Sequence, residues 1–445
     1  MYVNLSNYTK IKVESINDHI YLILFDIITA TIRKNFFKKL IRKNLKISEK
    51  NIQIIKENND LLIKFEDSSN FIENNLTEDI IVEEITKILA YNLPLTLKNK
   101  ITGRNLYYIT KESGIPLIGS IYFGIIDRGT NLIQVRPAAG FCPLNCPFCS
   151  VDEGPHSKRR FTDYIVSPSY LIEEAKKVID YKDISDMEIH IDGQTEPTLY
   201  PYLLDLIGTF AKDPRIAIIS MQTNGIPLTS QYIQKLERAG LNRINLSINS
   251  LNPKHAKYLA GTSEYNINHI IEIAKVIAKS SIHLLIAPLW VPGINDQDIE
   301  EIISFASKLK QKSDFPILGI QNYLKYKFGR KIKGVKVVNV KKFKKKLQEW
   351  EEKYGIHPLY LSMNDFKMHP ANKYPKPLRK GEKIEVEIVL PGRLLSWQKN
   401  KREMLGRAKG RIIHIMNCSA KIGDRITVRI LSTKDNIYYG REIYH

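Results

Sequence analysis

Cys142, Cys146 and Cys149 lie within eight residues, in the run Gly140-Phe141-Cys142-Pro143-Leu144-Asn145-Cys146-Pro147-Phe148-Cys149. The Cys-x3-Cys-x2-Cys spacing puts three thiolates on one tight loop. Three thiolates can hold three corners of an iron–sulfur cube and leave the fourth iron open to another ligand. Pro143 and Pro147 stiffen the loop and remove backbone donors. Zinc could instead take the three cysteines with His156 as a fourth ligand, or the thiols could simply pack in a core. Structural zinc sites more often pair two CxxC knuckles, and the sequence holds no second knuckle. Only Cys418 remains. Four cysteines in 445 residues are too few for a disulfide framework, and their clustering points to a metal centre in a reducing cytoplasm.

Such a loop has to be held by regular structure. From 131 to 325, short β-branched runs alternate with amphipathic segments. Strands are predicted at Leu132–Pro137, Met187–Asp192, Ala217–Gln222, Arg243–Asn249, Ile282–Pro288 and Ile317–Tyr323. Helices are predicted at Pro168–Ile179, Pro201–Ala211, Ser230–Ala239, Asn266–Lys279 and Asp296–Lys308. Parallel strands need helical crossovers, so this is a six-membered βα series. The cysteine run follows its first strand directly.

The strands have two different faces. Met187, Ile189 and Ile191 oppose Glu188, His190 and Asp192, and Ile244, Leu246 and Ile248 oppose Asn245, Ser247 and Asn249. Ile219 and Met221 alternate with Ser220 and Gln222, and Ile133 and Val135 with Gln134 and Arg136. A sheet between two helix layers reads as continuously apolar, and a full barrel fills its interior with branched apolar side chains. The expected fold is therefore α/β, a partial (β/α)6 barrel with a wet or ligand-filled lumen. His190 and Asp192 face that lumen as candidates for substrate binding or acid–base catalysis. A satisfied structural role is the alternative for His190.

The flanks read differently. Residues 1–125 mix strand-like runs (Ile11–Val13, Asp60–Phe65) with helical stretches, Tyr21 to Lys43 and Thr77 to Ala90, as a small N-terminal α+β domain. The partial barrel is assigned to 126–330, and a basic connector with a helix near Lys341–Tyr354 to 331–376. From 377 to 445 the pattern is all-β, with runs at Lys383–Leu390, Arg411–Met416, Arg425–Leu431 and Ile437–Glu442, as in a small antiparallel barrel. No apolar run is long enough for a membrane span: Ile20–Ile32 is broken by Asp26, and Ile282–Ile294 by Pro288 and Pro292. The start of the chain lacks the order of a signal peptide.

The cysteine run, with Phe148 before its third cysteine, and the surrounding βα series resemble the radical S-adenosylmethionine (SAM) superfamily over about residues 130 to 325. The resemblance implies a [4Fe–4S] cluster on Cys142, Cys146 and Cys149, with S-adenosyl-L-methionine on the open iron. It implies one-electron cleavage to a 5′-deoxyadenosyl radical, and an electron donor such as ferredoxin or flavodoxin. Phe148 matches an aromatic residue near the adenine. In Asp192-Gly193-Gln194-Thr195-Glu196-Pro197, Glu196 and Pro197 match the end of the family's Gly-Gly-Glu-Pro run, while Gln194 and Thr195 replace its glycines. Further matches to cofactor-binding positions are Asn224 in Gln222-Thr223-Asn224-Gly225, Ser247 and Asn249, and Gly293 in Val291-Pro292-Gly293-Ile294-Asn295-Asp296.

Charge points to a partner. The net charge is +20, and residues 331–445 hold 27 Lys and Arg against 11 Asp and Glu, 27 − 11 = +16. A neutral body with a basic tail suggests a polyanion; a solvated lysine-rich surface is the plain alternative. Within Arg393–Arg411, cations surround Trp397, a combination suited to phosphates and exposed bases. Lys380-Gly381-Glu382, Leu390-Pro391-Gly392-Arg393, Gly406-Arg407, Lys421-Ile422-Gly423-Asp424 and Asp435-Asn436-Ile437-Tyr438 resemble a TRAM domain, an RNA-binding module of several RNA-modifying enzymes. That resemblance implies RNA contacts at Arg393, Trp397, Arg402 and Arg407. Methylthiotransferases carry three further cysteines, which this chain lacks, so sulfur insertion is disfavoured. The expectation is a radical SAM enzyme that modifies a nucleotide in RNA, with tRNA the foremost candidate. Its tail should be separable from the cofactor chemistry. The alternatives are the same chemistry on a small molecule, or a zinc- and RNA-binding protein without turnover.

Overall fold

The computed structural model describes residues 2–4, 11–16, 18–48, 52–57, 60–65, 77, 80–85, 88, 96–313, 315–395 and 402–443. It divides into two compact units, Met1–Tyr108 and Ile109–His445. In the first, strands β1 (Tyr2–Asn4), β2 (Ile11–Ile16), β3 (His19–Leu24), β4 (Ile28–Arg33), β5 (Ile52–Glu57), β6 (Asp60–Phe65), β7 (Lys98–Asn99) and β8 (Asn105–Ile109) pair antiparallel, and helix α1 spans Lys34–Leu45. Helix α1 buries Phe37, Ile41 and Leu45, spaced to fall on one face, against Ile20, Leu22, Ala30 and Ile32. The helix expected from Tyr21 to Lys43 is thus a hairpin followed by a helix. Phe25 and Asp26 turn the chain with positive φ, and the β-branched run Ile28-Thr29-Ala30-Thr31-Ile32 pairs as a strand. Of the stretch Thr77 to Ala90, residues 80–85 are helical, and part lies outside the described residues.

The second unit is built on a sheet of six strands. Five are parallel: β10 (Leu132–Arg136), β13 (Met187–Ile191), β14 (Ile216–Thr223), β15 (Arg243–Leu246) and β16 (His283–Ile286), with the antiparallel pair β11 (Ala138–Ala139) and β12 (Thr162–Val166) between β10 and β13 in the chain. An antiparallel strand that the sequence reading missed, β9 (Gly124–Asp127), covers the first edge. Beyond β16 the barrel continues as a pair of two-residue strands, β17 (Leu289–Trp290) and β18 (Gln321–Asn322), and a parallel bridge from Ile286 to Leu318. The sixth expected strand is therefore present in pieces, its ladder interrupted where Pro288 lacks a donor. Helices α2 (Pro168–Lys182), α3 (Leu203–Phe210), α4 (Ser230–Ala239), α5 (Pro253–Ala260), α6 (Ile267–Lys279) and α7 (Asp296–Lys308) alternate with the strands. Met187, Ile189, Ile191, Ile244 and Leu246 are fully buried. The polar face is internally paired at one level: Arg243 is ion-paired with Glu188, and Ser220 Oγ donates to Glu188 Oε1 at 2.6 Å.

The connector and tail are part of this unit. Helix α8 (Val340–Tyr354) buries Phe343, Leu347 and Trp350. Trp350 Nε1 donates to Glu300 Oε1 on α7 at 3.1 Å, and the Phe343 ring stacks on Trp290. The tail is a closed barrel of five strands, β19 (Lys383–Leu395), β20 (Arg402–Ala408), β21 (Arg411–Cys418), β22 (Arg425–Ser432) and β23 (Tyr438–Glu442), in the order β19-β20-β21-β23-β22. Strand β20 escaped the sequence reading because its Arg402-Glu403-Met404-Leu405-Gly406-Arg407-Ala408 run does not alternate. Glu403 is buried and accepts hydrogen bonds from Tyr122 Oη at 2.7 Å and at the Arg393 backbone N–H at 3.0 Å. Among the described residues no helix is long and apolar enough to cross a membrane.

Candidate active site

Two connected cavities open at the cysteine loop. One, of about 190 Å³, is lined by Cys142, Cys146, Phe148, Glu196, Asn224, Ser247, Asn249, Ser250 and Tyr265, among others. The other, of about 530 Å³, adds Cys149, Arg136, Asp192, Gln194, Asn322, Leu324 and Tyr326. Cys142, Cys146, Phe148, Thr195, Gln222, Ser247 and Asn249 line both. All three thiols are free. Burial and the neighbouring thiols push Cys142 well up, and burial, then Cys149, push Cys146 up to about 12, opposed by Arg330. Metal binding at this loop must therefore release protons.

The loop is pinned from several sides. Asn145 N donates to the Ala260 carbonyl at the end of α5, 2.9 Å away, and Glu153 N donates to Cys149 Sγ at 3.3 Å. Arg330 N donates to Cys149 O at 2.8 Å, Arg330 Nη1 donates to Cys146 O at 2.9 Å, and its Nε pairs with Asp152 at 2.8 Å. Gly140 starts the loop with φ +106°, and a Cβ there would sit 2.0 Å from Asp163 Cγ. Only glycine meets both demands.

The other expected residues separate into three groups. Glu196, Asn224, Ser247, Asn249 and Phe148 are brought together with the cysteines. Glu196 is buried: its Oε1 accepts from Thr198 N, Thr198 Oγ1 and Thr223 Oγ1, and its Oε2 from Asn224 N at 2.8 Å. Burial pushes its carboxyl up against these bonds. It thus holds the loops after β13 and β14 together. Asn224 Oδ1 accepts from Ile226 N at 3.0 Å, Ser247 Oγ from Gln222 Nε2 at 2.8 Å, and Asn249 Oδ1 from Leu289 N at 2.8 Å. Phe148 also packs on the Val291 and Tyr323 core.

Asp192 lines the larger cavity, paired with Arg136 (Nη2–Oδ2 3.0 Å) and accepting from Gln134 Nε2 at 2.6 Å. His190 lines neither cavity. Its Nδ1 lies 2.7 Å from Ser220 Oγ, in the chain that ends at Arg243, and burial pulls its pKa down. With Nδ1 held by Ser220 and the ring off both cavities, the structural alternative replaces the expected acid–base role for His190. Gly293 likewise lines neither cavity; its N–H donates to Asp296 Oδ2 at 2.6 Å and it forms the entry to α7.

The expected RNA contacts in the tail also need correction. Arg393 is fully buried, and its guanidinium bonds Glu153, Asp163 Oδ1 (2.9 Å), Gln194 Oε1 (3.0 Å) and the Thr162 carbonyl (2.9 Å). It cannot reach a phosphate. Arg407 is half-buried and paired with Glu387. Arg402 is exposed, and Trp397 lies outside the described residues. Sequence reasoning missed Arg330, in the run Phe328-Gly329-Arg330 a few residues beyond the last barrel strand. It also missed the exposed lysines Lys341, Lys342, Lys344 and Lys345 on α8, opposite the buried Phe343, Leu347 and Trp350. Their i, i+3, i+4 pattern was the available signal.

The donor set fits the cluster that the cysteine spacing suggested. Three free thiols share one cavity, yet the described residues contain no three His, Cys, Asp or Glu side chains placed to hold a single metal ion. His156 is exposed and lines neither cavity, so the Cys3His zinc set is not assembled. Comparison with known proteins agrees. The family profile of the Radical SAM superfamily matches residues 137–306. An uncharacterized protein of Methanocaldococcus jannaschii is 45% identical over 373 residues, covering 79% of this chain and 84% of that protein. The chain belongs to the radical SAM superfamily, and its cofactors are a [4Fe–4S] cluster and S-adenosylmethionine. It is also similar to the GTP 3′,8-cyclase of Petrotoga mobilis, 29% identical over 37% of this chain; this chain spans about half (48%) of that enzyme. Streptococcus suis SuiB, solved with its precursor peptide SuiA, superposes with a TM-score of 0.39 at 14% identity, over 81% of this chain and 72% of that one.

Proposed function

We propose that this radical SAM enzyme modifies a nucleotide within RNA, with tRNA the foremost candidate. The observation that carries the reading is the +16 charge of residues 331–445, of which Lys341, Lys342, Lys344 and Lys345 form a solvent-facing row on α8. Such a surface binds a phosphate backbone by releasing counterions. The closed barrel of the tail suits the TRAM-like reading of its sequence, though through its exposed face, since Arg393 is internal.

Within the cavities the chain's own side chains have definable work. Cys142, Cys146 and Cys149 would hold the cluster. S-adenosylmethionine bound there supplies, on one-electron reduction by a donor of the ferredoxin or flavodoxin type, a 5′-deoxyadenosyl radical. Glu196, through Thr223 and Asn224, sets the wall of the smaller cavity, and Ser247 and Asn249 present polar groups on it. Leu259 and Tyr265 add apolar surface to that wall. Arg136 and Asp192 pair with each other on the wall of the larger cavity. The similarity to a GTP 3′,8-cyclase favours a second reading, a free nucleotide as substrate. Comparative nucleoside mass spectrometry of RNA from cells with and without the protein separates the two. A modified nucleoside that disappears with the protein supports the RNA reading, and unchanged RNA supports the free nucleotide.

A further inference from the structure

The larger cavity holds two polar atoms that the protein leaves unsatisfied. Thr195 Oγ1 and Asn322 Oδ1 are buried without a hydrogen-bond partner. Asn322 Nδ2 donates to the Val338 carbonyl at 3.0 Å, which fixes the amide with its oxygen as the spare acceptor. A buried polar atom left unpaired costs about 1–3 kcal/mol. Both residues line the cavity that also contains the cysteines, so a bound molecule can meet them. It would have to present a donor to Asn322.

The mouth of the same cavity is formed by Leu324 and Tyr326, both large, apolar-bodied and about half exposed (44% and 49%). Lys325 and Lys327 are exposed between and after them. Among the described residues neither lysine forms an ion pair. The backbone that follows them packs on the cysteine loop. Gly329 lies against the carbonyls of Ser150 and Cys149, where a Cβ would come within 2.6 and 2.9 Å, and Arg330 clamps the cysteine loop. The rim is therefore held in place relative to the thiols.

We infer that Leu324–Lys327 is a recognition rim for a phosphate-bearing nucleobase, which stacks on Tyr326, sets its phosphate against Lys325 and Lys327, and gives a ring donor to Asn322. An aromatic face beside exposed cations is how proteins hold unpaired nucleotides, and the orphaned acceptor inside supplies the hydrogen-bonding partner that an apolar ligand would leave unmet. This rests on the nucleotide reading above and specifies it. The nucleotide can come from RNA or from a free nucleoside triphosphate.

The test measures binding of tRNA from cells lacking the protein, and separately of GTP, to the full-length, cluster-loaded protein. The variants are Tyr326→Ala, Tyr326→Phe and the double change Lys325→Gln with Lys327→Gln, with iron content as the check on folding. Stacking on one base predicts that Tyr326→Ala weakens binding about fivefold or more, and that Tyr326→Phe restores it. Loss of two phosphate contacts on a single strand makes the log–log salt slope shallower by about 1.4. The same pattern with GTP and no tRNA binding keeps the rim and overturns the RNA reading. Wild-type binding of tRNA that none of the variants changes overturns the rim and leaves the RNA reading standing. No binding of either ligand by the wild type overturns both.

Discussion

Arg393 Nη2, on the first strand of the C-terminal barrel, donates to Glu153 Oε2 at 3.1 Å, and the backbone N–H of Glu153 donates to Cys149 Sγ at 3.3 Å. A residue of the tail thus stands one side chain away from a cluster ligand. The pair is enclosed, with side-chain exposures of 0% and 3%. Burial opposes the charge on Arg393, but Glu153 and Asp163 more than offset it, and the guanidinium stays protonated.

Arg393→Met should therefore be severe. Breaking a buried ion pair from one side costs about 3–5 kcal/mol, because the partner charges stay behind. The expected result is a lower urea midpoint together with reduced iron loading. Arg393→Lys should recover little, since one ammonium cannot reproduce the fork that spans Glu153, Asp163 and Gln194. Deleting 377–445 should abolish iron loading. Ile118 and Gly119 also bond the barrel, through Ile412 N to Ile118 O at 2.9 Å and Tyr438 N to Gly119 O at 3.1 Å. The separable tail expected from the sequence is thus revised; a truncated chain that folds with full iron content would restore it.

Each of Cys142→Ala, Cys146→Ala and Cys149→Ala should lower iron from about four per chain and stop formation of 5′-deoxyadenosine in reduced, anaerobic protein. Three ligands leave no substitute. Cys418 is buried in the barrel core with Ile415, Val428 and Tyr438. Cys418→Ala should keep iron and cleavage, at a stability cost of about 1 kcal/mol for the lost packing. Iron analysis and chromatography of the cleavage products decide the matter.

Gly329→Ala tests the clamp from the opposite side. The added methyl meets backbone oxygens, which cannot step aside as a flexible side chain would. Arg330 should be displaced from Cys146 O and Asp152. The expected outcome is weaker iron retention under a chelator with unchanged far-ultraviolet circular dichroism, and retention equal to the wild type would contradict it.

The seat of α8 should depend on pH. Hydrogen bonds from Lys353, Tyr354 and Trp350 outweigh burial and pull Glu300 from its ordinary 4.5 to about 2. The folded value lies below the unfolded one, so the contribution is full above about pH 4.5 and is lost as pH falls towards 2. Both Glu300 and Lys353 are partly solvated, so the effect is modest. Trp350 fluorescence should report loosening across that window in the wild type. Glu300→Gln should remove that dependence.

The legible parts of the molecule were those with a strong local signal. The cysteine spacing, the βα alternation and the two-faced strands Met187–Ile191 and Arg243–Leu246 depend on residues close in sequence, and each appears in the structure. The hairpin at Phe25–Asp26 was missed because Tyr21–Lys43 is apolar enough to pass for a helix when its turn carries no glycine. Strand β20 was missed because the partners of Glu403, Tyr122 and His414, lie far away in the chain or on the neighbouring strand β21, which only folding brings to it. Arg393 was misread for the same reason. A lone arginine in a basic stretch looks like a phosphate ligand, and only folding brings Glu153, Asp163 and Gln194 around it. His190 looked catalytic because strand periodicity gives its face but not its depth, and Ser220 takes up its ring nitrogen.

The most direct test of the central claim is RNA-dependent turnover. Anaerobic, reduced protein is given S-adenosylmethionine and tRNA from cells that lack it, and 5′-deoxyadenosine and the digested nucleosides are measured together. This tRNA should raise 5′-deoxyadenosine formation and yield a new nucleoside, and Cys149→Ala should give neither. Cleavage indifferent to tRNA, with no change in any nucleoside while GTP is consumed, would contradict that claim.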